Sequence, residues 1–241
     1  MVNTVRPAPN RRNQLLAALP AADLSLLAPH FKEVPLGARE LLHETQDEIE
    51  QIYFPHSGMV SLLAVTDDGE AIETAAIGSD GVIGASAGLG IRRAFCRAVV
   101  QVPGSASRIA TSQFQRALNE SATIRQVICR YNEVLLVQAQ QTAVCSALHG
   151  VEARLARWLL QTQDRTGSET IPLIQEFLAQ VLGVRRTTIN LVVRTLHEAG
   201  LIRYRRGLIE IIDRNGLKNE SCNCYQTVRR QIDQIAPPGK G

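Results

Sequence analysis

The chain has 241 residues, is 45% hydrophobic and carries a formal charge of +3, with aromatic residues at only 4%. That length suits one large or two modest domains, and their cores must be filled by aliphatic side chains. No apolar run approaches the roughly 20 residues that span a bilayer, and the polar N-terminus MVNTVRPAPNRR lacks the apolar stretch of a secretory signal, so a cytoplasmic protein with no membrane partner is expected.

The first dozen residues read as a loose tail. Leu15, Leu16, Leu19, Leu24 and Leu27 then fit one or two short helices broken near Pro20, which makes 1–30 a tail with short helices. From 31 the texture changes to short apolar segments between recurrent glycines and prolines. Val60, Leu62 and Ala64 alternate, and so do Ile72, Thr74 and Ala76. Asp67-Asp68-Gly69 lies between them, and Asp-Gly tolerates the positive φ of a hairpin turn. Another short strand is expected at 99–102. Many short strands with regular turn signals predict a β-barrel or sandwich over 31–120.

Thr111 is a candidate N-cap, after which the period becomes helical. Residues 121–148 contain neither Pro nor Gly, and Gly150 suits a C-terminal stop. Ile124, Ile128, Tyr131 and Leu135 form one apolar stripe; Val127, Val134, Val137, Val144 and Leu148 form a second. Two stripes require two surfaces to bury them. One can be the chain's own barrel and the other the same helix of a second subunit, with the Ile124–Ile128–Tyr131–Leu135 stripe assigned to dimerisation; a central core helix in a monomer is the alternative. The segment 121–150 is thus a dimerisation helix.

The remaining segment, 151–235, holds the sharpest signal. A helix over 151–162 buries Leu155, Trp158 and Leu159, and Thr166-Gly167-Ser168 is a loop. Over 174–196, Phe177, Leu178, Val181 and Leu182 are apolar at helical spacing. Ala179 allows close helix approach, Gly183 frees the turn, and Val184 plugs it. Ile189, Val192, Val193 and Leu196 form the buried stripe of a second helix. Its other face holds Arg185, Arg186, Thr187, Thr188, Asn190 and Arg194, with Gln175 at the start of the helix before. These types match base edges: Arg to guanine, Asn to adenine, the Thr methyl to thymine. Arg186, Thr187 and Asn190 are the candidate base readers, Arg185 and Arg194 phosphate contacts. Ile202, Tyr204, Ile209 and Ile211 then alternate around Gly207, giving a hairpin whose basic tip, Arg205 and Arg206, would meet phosphate. Charge agrees. Residues 1–150 hold 12 Lys/Arg against 14 Asp/Glu, whereas 151–241 hold 14 against 9, and 185–206 contain six arginines and one acid, Glu198. Double-stranded DNA is the expected partner. A ligand-binding sensor that acts through protein partners is the alternative, and it leaves the basic face unexplained.

Five cysteines at irregular spacing do not form a disulfide framework. Cys222-Asn-Cys224 reads as thiols packing a terminal helix, with a weak metal site or thiol switch as the alternative, and no metal site is assigned. No nucleophile–base arrangement or phosphate-binding glycine loop is present, so no catalytic residues and no enzyme activity are expected.

At this point the sequence resembles the Crp/Fnr superfamily of bacterial transcription regulators. The stretches 52–58 and 77–84 look like its sensor barrel, 121–148 like its dimerisation helix and 174–212 like its winged helix-turn-helix. The resemblance implies an α+β protein: a cyclic-nucleotide-binding-like β-barrel (jelly roll), a long dimerisation helix and a C-terminal winged helix-turn-helix. It also implies a homodimer on a near-palindromic operator and contact with RNA polymerase. The effector pocket would lie at Gly84, Ala85, Arg92 and Arg93. Ala85 stands where cyclic-nucleotide binders carry a ribose-binding Glu, no hydroxyl residue follows the arginines directly, and Ala139 and Gln140 replace the base-contacting hydroxyl pair. No Cys precedes Cys96, unlike the iron–sulfur members. The five histidines (His30, His43, His56, His149 and His197) read as surface or hydrogen-bonded residues, not haem ligands. No cofactor is therefore expected, and the effector is unknown.

Overall fold

The computed structural model describes residues 13–172 and 174–235; the tail expected over 1–12 lies outside the described residues. These residues form two compact units, one of residues 13–60 and 77–132, the other of 61–76 and 133–235.

The first unit opens with α1 (Gln14–Ala17) and α2 (Ala21–Leu27), divided at Pro20 as the sequence indicates. Asn13 caps α1, accepting from the amides of Leu15 and Leu16. The strands are β1 (Lys32–Leu36), β2 (Leu41–His43), β3 (Gln51–Val65), β4 (Ala71–Ile77) and β5 (Arg97–Ala110). Their sheet runs β1-β5-β3-β4, with β2 also paired to β5. The strand expected at 99–102 is in fact the 14-residue β5. Where β3 and β5 cross, Gly58 has φ +81, and a Cβ there would meet the Val102 carbonyl at 2.5 Å. Only glycine lets the two backbones approach this closely.

The turn between β3 and β4 holds a single positive φ, at Gly69. The Gly69 amide donates to the Thr66 carbonyl at 2.9 Å, and Thr66 N–H donates to the Glu70 carbonyl at 2.8 Å. The loop is therefore the three-residue type, a type I turn followed by a left-handed glycine, and not a type I′ turn, which needs positive φ at both of its central residues.

A short helix, α3 (Ala85–Gly88), precedes β5, and α4 (Thr111–Glu120) follows it. Thr111 is the first helical residue of α4 and does not cap it. Its hydroxyl donates at 2.6 Å to the carbonyl of Ile49, so a long-range bond displaces the expected cap. The cap in this region is Ser121, whose hydroxyl accepts from the Ile124 amide at 3.0 Å and opens α5 (Ala122–Leu148).

The 27 residues of α5 reproduce the expected long helix, but its faces are used differently. Ile124, Ile128 and Tyr131 are 1–3% exposed. Ile124 and Ile128 line the same cavity as Leu15, Leu27, Phe54 and Phe114, and Tyr131 lies against Gly81, leaving no space for a Cβ. These three side chains are spent on the chain's own core, so the assignment of this stripe to a partner subunit is corrected; Leu135 is half-buried. The outward face carries Leu136, Val144 and Leu148, 49%, 46% and 74% exposed.

The second unit is centred on α6 (Val151–Thr166), which buries Leu155, Trp158, Leu159 and Leu160 and extends four residues past the expected end. It packs against α7 (Gln175–Leu182), α8 (Arg186–Glu198), α9 (Arg214–Glu220) and α10 (Cys224–Ile235). A second sheet, ordered β6-β8-β7, consists of β6 (Thr170–Pro172), β7 (Ile202–Arg205) and β8 (Leu208–Ile211). β6 adds a third strand to the hairpin expected from sequence. Asp164 ties the terminal helices down: Arg214 Nη2 donates to it at 2.6 Å and the Tyr225 hydroxyl at 2.7 Å. Residues 61–76, the end of β3, the turn and nearly all of β4, also belong to this unit. There the buried carboxyl of Glu73 accepts from the Ser61 hydroxyl at 2.5 Å. Burial pushes its pKa up, against the pull of Ser61, Arg157 and Arg165.

Candidate nucleic-acid interface

The helix pair α7–α8 is built from its turn. Leu178, Val181 and Leu182 are at most 3% exposed and fix α7 by its apolar face. Gly183 ends it at φ +60, a left-handed conformation that a side chain would strain. The Val184 amide reaches back to the Ala179 carbonyl at 2.9 Å, a C-terminal closure that satisfies one orphan acceptor. A second orphan, the Leu182 carbonyl, accepts from the buried guanidinium of Arg154 at 2.5 Å. The turn is thus fixed from α6 as well as from within.

Beyond it, Ile189, Val192, Val193 and Leu196 are buried, so the opposite face of α8 is rotated outward. Arg185, Arg186, Thr187, Asn190 and Arg194 are all exposed or nearly so, and Thr188 is half-buried. Leu191 is 64% exposed on that same face. Sequence reasoning missed it, because an isolated leucine in an apolar helix reads as core. Its position between Asn190 and the buried Val192 is the signal that was available.

The hairpin β7–β8 turns on Arg206 and Gly207, both at positive φ, +52 and +77. This is the two-residue type I′ geometry, and it presents Arg205 and Arg206 to solvent. His197 Nδ1 lies 3.1 Å from the Ile202 carbonyl and joins the end of α8 to β7. Gln175, half-buried, donates to the Tyr204 hydroxyl at 3.2 Å, so its amide is engaged inside the unit. Two of the arginines carry partners: Arg194 pairs with Glu198 and Arg203 with Glu210, each at 2.7 Å and exposed. Such pairs contribute little in water, and an incoming phosphate can replace the carboxylate.

The residues expected to form an effector pocket sit differently from one another. Gly84 has φ +81 at the start of α3 and Ala85 is 3% exposed. Arg92 is exposed and held by Glu48 at 2.6 Å; an anion would have to displace that carboxylate. Arg93 is exposed beside it.

One constellation was not foreseen. Cys145 and His149, one turn apart at the end of α5, meet Cys222 and Cys224 at the start of α10. Cys145 Sγ is 3.4 Å from Cys222 Sγ, and Cys224 Sγ is 3.4 Å from His149 Nδ1. Hydrogen bonding with Cys222 draws the Cys145 pKa down to about 5, and the same bond pushes Cys222 up. The expectation of thiols that merely pack a helix understates this arrangement. The i, i+4 spacing of Cys145 and His149 was its trace in the sequence.

A sensor-like sheet domain followed by a helix-turn-helix with a wing defines a class, the DNA-binding transcription regulators. Two family models match the chain, the cyclic nucleotide-binding domain over residues 33–121 and the Crp-like helix-turn-helix domain over residues 153–220. The chain belongs to the Crp/Fnr superfamily and is a DNA-binding regulator, not an enzyme. Its fold is similar to that of FixK2 from Bradyrhizobium japonicum, at 16% identity and TM-score 0.67, covering 80% of this chain and 98% of that one. It is also similar to the c-di-GMP responsive regulator CLP of Xanthomonas campestris, at 18% and 0.65, covering 80% and 99%. A CRP/FNR-family regulator of Thermus thermophilus matches at 20% and 0.62, covering 79% and 98%. At these identities the likeness is one of fold. Among curated protein sequences none matches this chain. Among the described residues no helix is long and apolar enough to cross a membrane.

Proposed function

We propose that the chain acts in the cytoplasm as a homodimer that binds a near-palindromic operator, with residues 31–120 as sensor, 121–150 as dimerisation helix and 151–235 as DNA-binding domain. The observation that carries the reading is the division of α8. Its apolar stripe from Ile189 to Leu196 is buried, while Arg186, Thr187 and Asn190 stand exposed over its first turns. The first turns of a recognition helix enter the major groove. Arg186 reads guanine, Asn190 adenine, and Thr187 with Leu191 supplies apolar contact to thymine methyls. Arg185, Thr188, Arg194, Arg205 and Arg206 take phosphates, which position the reader without specifying sequence.

Dimerisation uses the outward stripe of α5, Leu136, Val144 and Leu148, since these large apolar side chains are left exposed. The dimer represses by occluding RNA polymerase or activates by contacting it. Cyclic AMP is not the effector: Ala85, small and buried, occupies the place of the ribose-binding acid implied by the family, and Arg92 is already paired.

Selection of genomic fragments by the full-length protein, followed by sequencing, tests the proposal. Enriched fragments are expected to share inverted half-sites spaced by about 34 Å. Arg186→Ala is expected to lose about 1–3 kcal/mol per half-site and to relax one base pair in each half-site. Failure to enrich any fragment at low salt would sink the proposal, and equal loss on random DNA would move Arg186 to the phosphate class. A panel of nucleotides read by thermal shift tests the effector statement, with cyclic AMP expected to give no shift.

A further inference from the structure

We infer that Cys145, His149, Cys222 and Cys224 form a tetrahedral binding site for a thiolate-preferring divalent metal ion, with zinc the expected occupant. The four ligand atoms all lie within 4.8 Å of one another. A zinc ion with Zn–S near 2.3 Å and Zn–N near 2.0 Å, held tetrahedrally, places sulfur atoms about 3.8 Å apart and sulfur and nitrogen about 3.5 Å apart. Two of the separations, 3.4 Å for Cys145–Cys222 and for Cys224–His149, require shifts of only a few tenths of an ångström. Three sulfurs and one imidazole nitrogen are a donor set of structural zinc sites, and four protein ligands leave no open position for chemistry.

The two halves of the site are positioned by the fold itself. Cys145 and His149 share one helix face, because the His149 amide still donates to the Cys145 carbonyl at 3.1 Å. The other half is set by the Asp164–Arg214–Tyr225 network, which fixes the start of α10 on α6. All three thiols are buried, at 0%, 8% and 0% exposure. Outer contacts are also in place. Gln141 Nε2 donates to Cys224 Sγ at 3.0 Å, and the buried Arg154 and Arg157 face the excess negative charge that three thiolates leave on a divalent ion. Such partners orient ligands and tune affinity. The ion would join the last turn of α5 to the first of α10, which lie more than seventy residues apart in sequence. The loop so closed contains the whole helix-turn-helix and wing. The site is then structural, a clasp on the DNA-binding unit.

The test uses the full-length protein, purified under reductant without chelator after expression with added zinc. Elemental analysis is expected to find one zinc per chain, and cobalt(II) exchange to give the strong visible bands of a tetrahedral thiolate site. Cys224→Ser and His149→Ala should each lose the metal, whereas Cys96→Ser, outside the cluster, should retain it. Because ligand variants can fail to fold, Gln141→Ala is the companion: it keeps all four ligands and is expected to bind zinc about 10-fold more weakly in competition with a chromogenic chelator. Metal at background level in the folded wild-type protein would overturn the inference. So would full zinc content in Cys224→Ser, or a Cys145–Cys222 disulfide in protein kept under reductant.

Discussion

Gln175 donates from its side-chain amide to the Tyr204 hydroxyl at 3.2 Å, which links the first turn of α7 to the wing. A glutamine at the mouth of a helix-turn-helix can read a base, but here its amide supports the geometry of the reader. Tyr204→Phe is expected to lower stability by about 0.5–1.5 kcal/mol in urea titration, the net worth of one hydrogen bond. It should also weaken operator binding to the same extent as Gln175→Ala, measured by fluorescence anisotropy. A much larger loss for Gln175→Ala alone would place Gln175 on the DNA.

The wing tip stores strain. Arg206 sits at φ +52 without being glycine, and a left-handed residue with a Cβ costs roughly 1–2 kcal/mol. Asn tolerates this region better. Arg206→Asn is therefore expected to raise the urea midpoint, by about 1 kcal/mol in stability, while DNA affinity falls on specific and random sequences alike. The slope of log affinity against log salt should flatten by about 1.8, about 0.9 for each subunit of the dimer. A variant that is less stable, or whose salt slope is unchanged, would remove Arg206 from the strained phosphate contacts.

The reader was legible in the sequence because helical periodicity sorts side chains locally. Ile189, Val192, Val193 and Leu196 on one side leave Arg186, Thr187 and Asn190 on the other with no further information. Hairpin alternation did the same for β3 and β4. Where distant partners decide, the sequence was silent. The Thr111 hydroxyl is taken by the Ile49 carbonyl, 62 residues away. The two stripes of α5 have the same chemistry, and packing divides them residue by residue: Ile124, Val127 and Ile128 line one cavity with Leu15, Phe54 and Phe114, Val134 is buried, and Val144 and Leu148 are exposed. Cys145 meets Cys222 across 77 residues, a separation at which no spacing rule operates.

The reassigned faces of α5 separate two kinds of defect. Ile128→Ala removes a buried side chain and is expected to cost about 2–5 kcal/mol of stability, with the folded fraction keeping its oligomeric state. Leu136→Glu combined with Val144→Glu alters only exposed positions. It should leave the circular dichroism spectrum of the chain intact and convert dimer to monomer in analytical ultracentrifugation, with operator binding falling in parallel. A double variant that remains dimeric would show that the outward stripe is not the interface.

Glu73 couples the β3–β4 hairpin to pH. Its carboxyl is fully buried and its pKa is raised above the ordinary 4.5, chiefly by desolvation. Between 4.5 and the raised value the folded chain binds more protons than the unfolded chain, so stability falls as pH rises through that window. The contribution is fully present below the unfolded pKa and lost above the folded one. Glu73→Gln keeps the shape and an oxygen that can accept from Ser61, but cannot ionise. The variant is expected to be more stable than wild type above neutrality, and the difference should close as both side chains become neutral in acid. Urea titrations of both proteins across this range give the comparison. If the variant is the less stable one above neutrality, the carboxylate is held by Arg157 and Arg165 strongly enough to outweigh its desolvation, and Glu73 is then an ion-pair anchor of the hairpin on α6.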